Sequence, residues 1–144
     1  MQIVASVDIE DALRVDLSAL YAAAGIDGVS FSATPIPPSL GDLPAAGTLV
    51  CIRRVGGSRS DLVEDVHAVS MDVYAATWGE AIAEANRLVG MCLAMPYERG
   101  LSLHYHAAAI TSQPVELPDT SNPVMPRVRC SMQFSVRGDV MMTS

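Results

Sequence analysis

The sequence contains no lysine, so all nine of its fixed basic side chains are arginines. A GC-rich coding sequence is the favoured explanation, and a role for arginine in planar, bidentate interface contacts is the alternative. Charged and aromatic residues are also scarce, at 17% and 5%, and the formal net charge is −7. The acidic balance argues against a dedicated nucleic-acid binder, because phosphate contacts need clustered basic side chains. The low charge leaves part of the surface neutral or apolar, which typically marks a contact with a partner.

Recognisable catalytic motifs are missing as well. The sequence has no P-loop, GxGxxG, GxSxG, HExxH or EF-hand pattern. Its three cysteines, Cys51, Cys92 and Cys130, show no CxxC spacing and lie in apolar patterns. We expect free, buried and inert thiols, because burial disfavours the reactive thiolate. The sequence therefore predicts a protein that is not an enzyme and has no cofactor.

Targeting and membrane-spanning segments are not indicated. The N-terminus lacks the charged and apolar regions of a signal peptide, and no apolar run is long enough to cross a bilayer. We expect a soluble protein made in a reducing cytoplasm. The length fits one domain, residues 1–144, with residues 139–144 as a flexible tail.

Two amphipathic helices are indicated by apolar residues at three- and four-residue steps. The first spans Asp8 to Ala24 and stops at Gly25. The second starts at a capping box formed by Thr77 and Glu80 and ends at Pro96. The predicted buried stripes are Ile9, Leu13, Leu17, Leu20 and Tyr21 in the first helix, and Ala81, Ile82, Ala85, Leu88, Val89, Cys92 and Leu93 in the second.

The remaining apolar segments predict strands. Residues 66–75 are apolar on both faces, as in a central strand, and residues 127–137 alternate cleanly, with Val128, Cys130, Met132, Phe134 and Val136 facing the core. Further strands are expected at 29–34, at 48–55 before a glycine pair that ends the strand, and at 103–112. Residues 58–65 form a hairpin connection, and the proline-rich stretches 35–44 and 113–126 are extended loops. The order predicts an α+β fold in which both helices pack on one face of a mostly antiparallel sheet.

One pair of histidines has metal-ligand character. His104 and His106 share a face of a predicted strand at positions i and i+2. A zinc site would need a third or fourth ligand, such as His67 or a carboxylate. We expect ordinary surface histidines, and a small metal-dependent enzyme remains the remote alternative.

Arginines line two of the predicted strands. They either form a solvated sheet face or make salt bridges to an acidic neighbour, such as another copy of the chain. The candidate interface residues are charged or polar side chains on these strands and the neighbouring loops: Arg53, Arg54, Asp61, Glu64, Glu116, Asp119, Asn122, Arg127, Arg129 and Arg137.

Several short stretches occur in an order and spacing typical of one family. They are RRVGG at 53–57, MDVYAATWGEA at 71–81, VELPDTSNP at 115–123 and, after Pro126 and Arg127, FSVRG at 134–138. Together they resemble the tail terminator proteins of long-tailed phages (siphoviruses) of actinobacteria. The part before Arg53 supports only the opening helix that this family has.

The resemblance implies a hexameric ring that caps the tail tube, ends tube polymerisation and joins the tail to the head-side connector. The implied partners are further copies of the chain, the tail tube protein and a connector or adapter protein, in the tail or neck of a virion assembled in the host bacterial cytoplasm. DNA would pass through the lumen without specific binding, and negative charge there would repel its backbone. The extended loops and charge-poor flanks would serve ring assembly. The alternative is another neck protein, such as a head-completion or connector-adapter ring.

Overall fold

The computed structural model describes residues 2–5, 7–33, 47–59, 64–117, 126–137 and 139–142, with backbone only for 2–5, 59 and 139–142. Two α-helices and seven strands lie within these ranges. In chain order they are β1 (Gln2–Ala5), α1 (Ile9–Ala23), β2 (Val29–Ser32), β3 (Thr48–Arg59), β4 (Glu64–Tyr74), α2 (Trp78–Ala94), β5 (Tyr105–Glu116), β6 (Arg127–Arg137) and β7 (Asp139–Met142), with a short 3-10 helix, Met95–Tyr97, after α2.

Five strands form one sheet in the order β2-β3-β4-β6-β5. β2 pairs with β3 in parallel, and the other neighbours pair antiparallel. β4 lies at the centre, as its two apolar faces predict. The α+β prediction is confirmed: both helices and the inner face of the sheet contribute to a single hydrophobic core.

Helix α1 begins and ends as its sequence predicts. The carboxylate of Asp8, the residue before the helix, accepts a hydrogen bond from the Asp11 N–H at 3.2 Å. At the other end Gly25 has a φ of +73° and follows the last turn. The N–H groups of Gly25 and Ile26 donate to the carbonyls of Ala22 and Tyr21, which closes the helix as a Schellman motif.

Helix α2 begins at the predicted capping box. The Thr77 hydroxyl accepts from the Glu80 N–H at 3.2 Å. Most of the predicted stripe is buried or packed against the core. The exception is Leu93, whose side chain is 40% exposed. The apolar pattern therefore extends one residue beyond the face that the sheet covers.

The inner face of β6 is buried along its whole length. Val128, Cys130, Met132, Phe134 and Val136 are each 0% exposed, as their alternation predicts. Burying a large apolar side chain contributes about 1.5–3 kcal/mol, so this strand is a main source of stability.

Strand β3 does not end at the glycine pair. Its register with β4 shifts between Arg54 and Gly56, and pairing resumes as far as Arg59. Gly57 has a φ of +147°, and a Cβ there would overlap the carbonyl oxygen of Val66. The glycines therefore accommodate a β-bulge, and the β3–β4 hairpin is longer than predicted.

Strand β5 runs from Tyr105 to Glu116, so residues 113–116 are strand and not the predicted loop. Its pairing with β6 has three irregularities, and it contains Pro114. Both features are tolerated because β5 lies at the edge of the described sheet, where one side of its backbone makes no hydrogen bonds to a neighbouring strand. Residues 118–125 of this predicted loop and the whole of the other one, residues 35–44, lie outside the described residues.

The end of the chain also differs from the prediction. Asp139–Met142 forms β7, which pairs antiparallel with β1 in a separate two-stranded sheet. These four residues, which the sequence predicts as part of a flexible tail, therefore lie in a strand. The partner strand lies at the opposite end of the sequence, where no local pattern reveals the pairing.

Candidate functional site

The face of the sheet opposite the helices carries most of the candidate interface residues that the structure describes, and we call it the outer face. Side chains alternate between the two faces along each strand, so Asp72 of β4 and Arg127 and Arg129 of β6 lie here. A small apolar cluster of Leu49 and Tyr74 packs on the same face. The outer face is thus a mixed surface with buried apolar and charged parts.

Arg129 is engaged within the chain. Its Nε and Nη2 donate to Asp72 Oδ1 and Oδ2 at 2.7 and 3.0 Å, and Arg127 Nη1 lies 3.9 Å from Asp72 Oδ2. The hydrogen bonds that Arg129 donates to Asp72 raise the pKa of Arg129. For Arg129, the acidic neighbour is therefore Asp72 of the same chain. Two guanidinium groups share one carboxylate, which leaves this part of the face with excess positive charge.

The other candidate interface residues are spread along the sheet. Arg53 and Arg54 are exposed on β3, and Arg137 is exposed at the end of β6, opposite Glu64 in the register. Glu116 is exposed at the end of β5. The candidates Asp61, Asp119 and Asn122 lie outside the described residues.

His104 and His106 meet at the start of β5. Both are exposed, and their ring centroids lie 4.6 Å apart. His67 lies elsewhere, buried on β4, where its Nδ1 accepts a hydrogen bond from Arg54. Over the described ranges, no group of three or more His, Cys, Asp and Glu side chains is suited to a metal ion. The structure therefore provides His104 and His106 with no third ligand among those residues.

All three cysteines are free thiols. Burial raises the pKa of Cys51 to about 11 and that of Cys130 to about 12, and it raises the pKa of Cys92 as well. Cys51 is only half-buried, although the sequence predicts a buried thiol. At neutral pH the reactive thiolate is a very small fraction at each position.

Two of the three buried carboxylates in the described residues, Asp16 and Glu84, lie on helices and were not anticipated from the sequence. Asp16 on α1 accepts from the Ser102 N–H, the Ser102 hydroxyl and the Tyr105 hydroxyl, at 2.7, 2.8 and 2.7 Å. Burial, aided by Asp16, raises the pKa of Tyr105. Asp16 therefore ties α1 to the segment that leads into β5. Its position three residues after Leu13, on the apolar stripe, is the signal that could have revealed it.

The second is Glu84 on α2, which is 3% exposed. It accepts from the Tyr21 hydroxyl at 2.7 Å and from Arg87 at 2.7 and 3.0 Å. Burial, aided by the bond to Glu84, raises the pKa of Tyr21. The bond to Tyr21 joins α1 to α2, and together these bonds satisfy the Glu84 carboxylate inside the core.

One of the two edges of the described sheet, strand β5, presents a second exposed surface. Among the described strands β5 has a partner on one side only. Beside it, Tyr97 is 87% and Leu93 40% exposed. A cavity of about 220 Å³ lies between these two residues, Pro96 and residues 106–108, and one of about 540 Å³ adjoins residues 96–105. We call Leu93, Tyr97, His104, His106 and strand β5 the β5 edge surface.

The fold and these surfaces define an α+β domain with an exposed sheet edge and an arginine-bearing face. No family model and no curated protein matches the chain. Among solved structures it is similar to a chain of the "Virion of native gene transfer agent (GTA) particle", with a TM-score of 0.53 and 21% identity over 89% of this chain and 90% of that chain. This similarity shows the shared fold. Neither described helix combines the length and apolarity that crossing a bilayer requires.

Proposed function

We propose that the chain is a structural component of a phage-like virion and acts without catalysis. The observation that carries the proposal is the fold similarity to a chain of a gene transfer agent virion, which extends over nearly all of both chains. The sequence stretches that resemble phage tail terminators support the same class of protein independently. The raised thiol pKa values agree with a role that uses no cysteine nucleophile.

Within the virion, we infer that the chain forms a ring, most simply a hexamer, that caps the tail tube and joins it to the head-side connector. This role is supported by the MDVYA strand at residues 71–75, the capping box at Thr77 and the FSVRG end of β6, which occur in the order that the resemblance requires. The chain would thereby end tube polymerisation, with DNA passing through the lumen. The net charge of −7 would repel the negatively charged DNA backbone in the lumen, so that the DNA could slide through.

The β5 edge surface is the best-supported subunit interface for such a ring. An edge strand leaves backbone N–H and C=O groups available to a neighbouring chain, and an exposed tyrosine is a typical interface anchor. Tyr97 and Leu93 lie together beside this edge. In a closed ring this surface would contact a different surface of the next copy, since head-to-tail contacts generate rings.

Native mass spectrometry of the purified full chain tests the ring directly. We expect one closed oligomer of about six copies, because a head-to-tail contact closes at a defined number. In the virus that encodes the chain, its loss is expected to give overlong tails, which electron microscopy measures. A single ordered copy per virion, or normal tail length without the protein, would contradict the proposal.

The second candidate is another ring of the neck, such as a head-completion or connector-adapter protein. The fold similarity favours it equally, because it concerns a virion and not a position within it. The deletion separates the two: overlong tails support the terminator, whereas full-length tails with heads that leak DNA support the adapter.

A small metal-dependent enzyme is the remote alternative, based on the paired rings of His104 and His106. It predicts stoichiometric zinc or nickel binding that is lost in His106→Ala. If His106→Ala leaves virion assembly intact and the parent chain binds no metal, this alternative is excluded.

A further inference from the structure

Arg54 and His67 link the two strands of the β3–β4 hairpin through their side chains. The Arg54 Nε–H donates to His67 Nδ1 at 2.8 Å. The His67 side chain is 1% exposed, and its Nε2 has no hydrogen-bond partner within the described chain. The nearest acidic group is Asp65, whose Oδ2 lies 3.9 Å from Nε2.

The backbone provides the space for this contact. Gly57 lies opposite His67 in the register, just beyond the bulge between Arg54 and Gly56. A Cβ on Gly57 would lie 3.0 Å from Arg54 Nη2 and 3.1 Å from the His67 Cα. The guanidinium of Arg54 therefore lies over a glycine to reach the imidazole. The contact spans the point where the backbone register of the hairpin is irregular.

The direction of the hydrogen bond determines the protonation state. Because Nδ1 accepts from Arg54, the imidazole is neutral and carries its proton on Nε2. A second proton would attach to Nδ1 and turn the acceptor into a donor. Two donors, both positively charged, would then face each other, and the contact would break.

We propose that Arg54 and His67 form an acid-sensitive latch, which holds the distal hairpin, residues 56–59 and 64–68, while His67 is neutral and releases Arg54 when His67 is protonated. The proposal goes beyond the proposed function and does not depend on it. Its consequence is local: the distal hairpin opens more often in acid, and Arg54 becomes available to other partners.

The surroundings of His67 favour the neutral form. Burial lowers the pKa of His67 from its ordinary 6.5, the positive charge of Arg54 lowers it further, and Asp65 opposes both. From β6, His67 is faced by Phe134, which carries no charge. A lowered pKa means that the latch is intact above about 6.5 and is lost as the pH falls through the lowered value. Within that window the opening equilibrium rises by at most about tenfold per pH unit.

Amide hydrogen exchange of the full chain, measured by NMR, tests the latch. In a His104→Gln/His106→Gln background His67 is the only histidine left, so exposed imidazoles cannot contribute. After correction for intrinsic rates, we expect amides of the distal hairpin to exchange several-fold faster at about pH 5.5 than at about pH 7.5. Amides of residues 130–132 in β6 serve as the internal control and should not change.

Two further variants make the result decisive. His67→Gln should abolish the pH dependence, because a glutamine carbonyl accepts from Arg54 at every pH. Arg54→Ala, at an exposed position, should give faster exchange already at neutral pH and a smaller rise in acid, because burial still lowers the pKa of His67 whereas the charge of Arg54 no longer does. An unchanged pH dependence in either variant, or nitrogen chemical shifts that show His67 titrating at its ordinary pKa, would overturn the proposal.

Discussion

Asp72 and Arg129 lie directly opposite each other on β4 and β6 and form a two-pronged ion pair across the centre of the sheet. Arg127 lies 3.9 Å from the same carboxylate. The two partners therefore differ in what their removal leaves behind. Without Arg129, the Asp72 carboxylate still has Arg127 nearby. Without Asp72, the guanidinium groups of Arg127 and Arg129 have no carboxylate between them.

This difference predicts that substituting Asp72 lowers the free energy of unfolding more than substituting Arg129 does. Asp72→Asn should destabilise the fold by about 2 kcal/mol, because it leaves charged donors unsatisfied at a largely buried site. Arg129→Gln should cost about 1 kcal/mol or less, since this side chain is partly exposed. Urea unfolding midpoints measure both. Equal costs would mean that Arg127 does not share the carboxylate.

Asp16 is expected to be one of the most sensitive polar positions. Asp16→Ala removes three hydrogen bonds and leaves the Ser102 N–H and the Tyr105 hydroxyl unsatisfied, which should cost about 3 kcal/mol. Tyr105→Phe removes one of these bonds and should cost about 1 kcal/mol. Chemical unfolding compares the two variants. If Asp16→Ala lowers the free energy of unfolding no more than Tyr105→Phe does, Asp16 does not link α1 to Ser102 through hydrogen bonds.

Two glycines should respond to alanine with opposite signs. Gly57→Ala should destabilise the hairpin strongly, because its Cβ would overlap the Val66 carbonyl at a φ of +147°. Gly90→Ala should stabilise the protein by about 0.5–1 kcal/mol, because it lies within α2 and nothing lies within 4 Å of its Cβ position. Thermal unfolding shows the sign of each effect. A stabilising Gly57→Ala would refute the bulge geometry.

The three cysteines should differ in reactivity. Cys51, with a pKa raised to about 11 and a half-buried side chain, should react first with iodoacetamide, and only slowly at pH 8, where about a thousandth of it is thiolate. Cys92 and Cys130 should react only after unfolding, since both are buried. Mass spectrometry of the alkylated chain gives the order. Rapid labelling of Cys92 in the folded protein would show that α2 separates from the sheet.

The β5 edge surface should be needed for assembly and not for folding. Leu93→Ser with Tyr97→Ser should reduce the ring population in native mass spectra while leaving the unfolding midpoint nearly unchanged, because both side chains are exposed in the single chain. Val15→Ser, at a residue of α1 that is 43% exposed, is the matched control and should leave assembly intact. Rings that persist in the double variant would place the interface elsewhere.

Local patterns in the sequence were sufficient for the helices and for much of the sheet. The Thr77 capping box, the Gly25 stop and the alternation along β6 depend only on neighbouring residues, so they predict the same structure in any context. The central position of β4 between β3 and β6 also follows from its sequence, because both of its faces are fairly apolar.

Other features required the tertiary structure. The pairing of β1 with β7, the extension of β5 to Glu116 and the contact between Arg54 and His67 depend on residues that only the fold brings together. The same holds for Asp16 and Glu84. A carboxylate in an amphipathic helix typically faces solvent, and these two are buried only because Tyr105, Ser102, Tyr21 and Arg87 reach them from other parts of the chain or from the next helical turn. The sequence by itself determined both helices and most of the sheet and core, because these follow from short-range periodicity. The tertiary structure decided which polar groups are buried and which edges stay open, because hydrogen bonds between distant residues offset the cost of their desolvation.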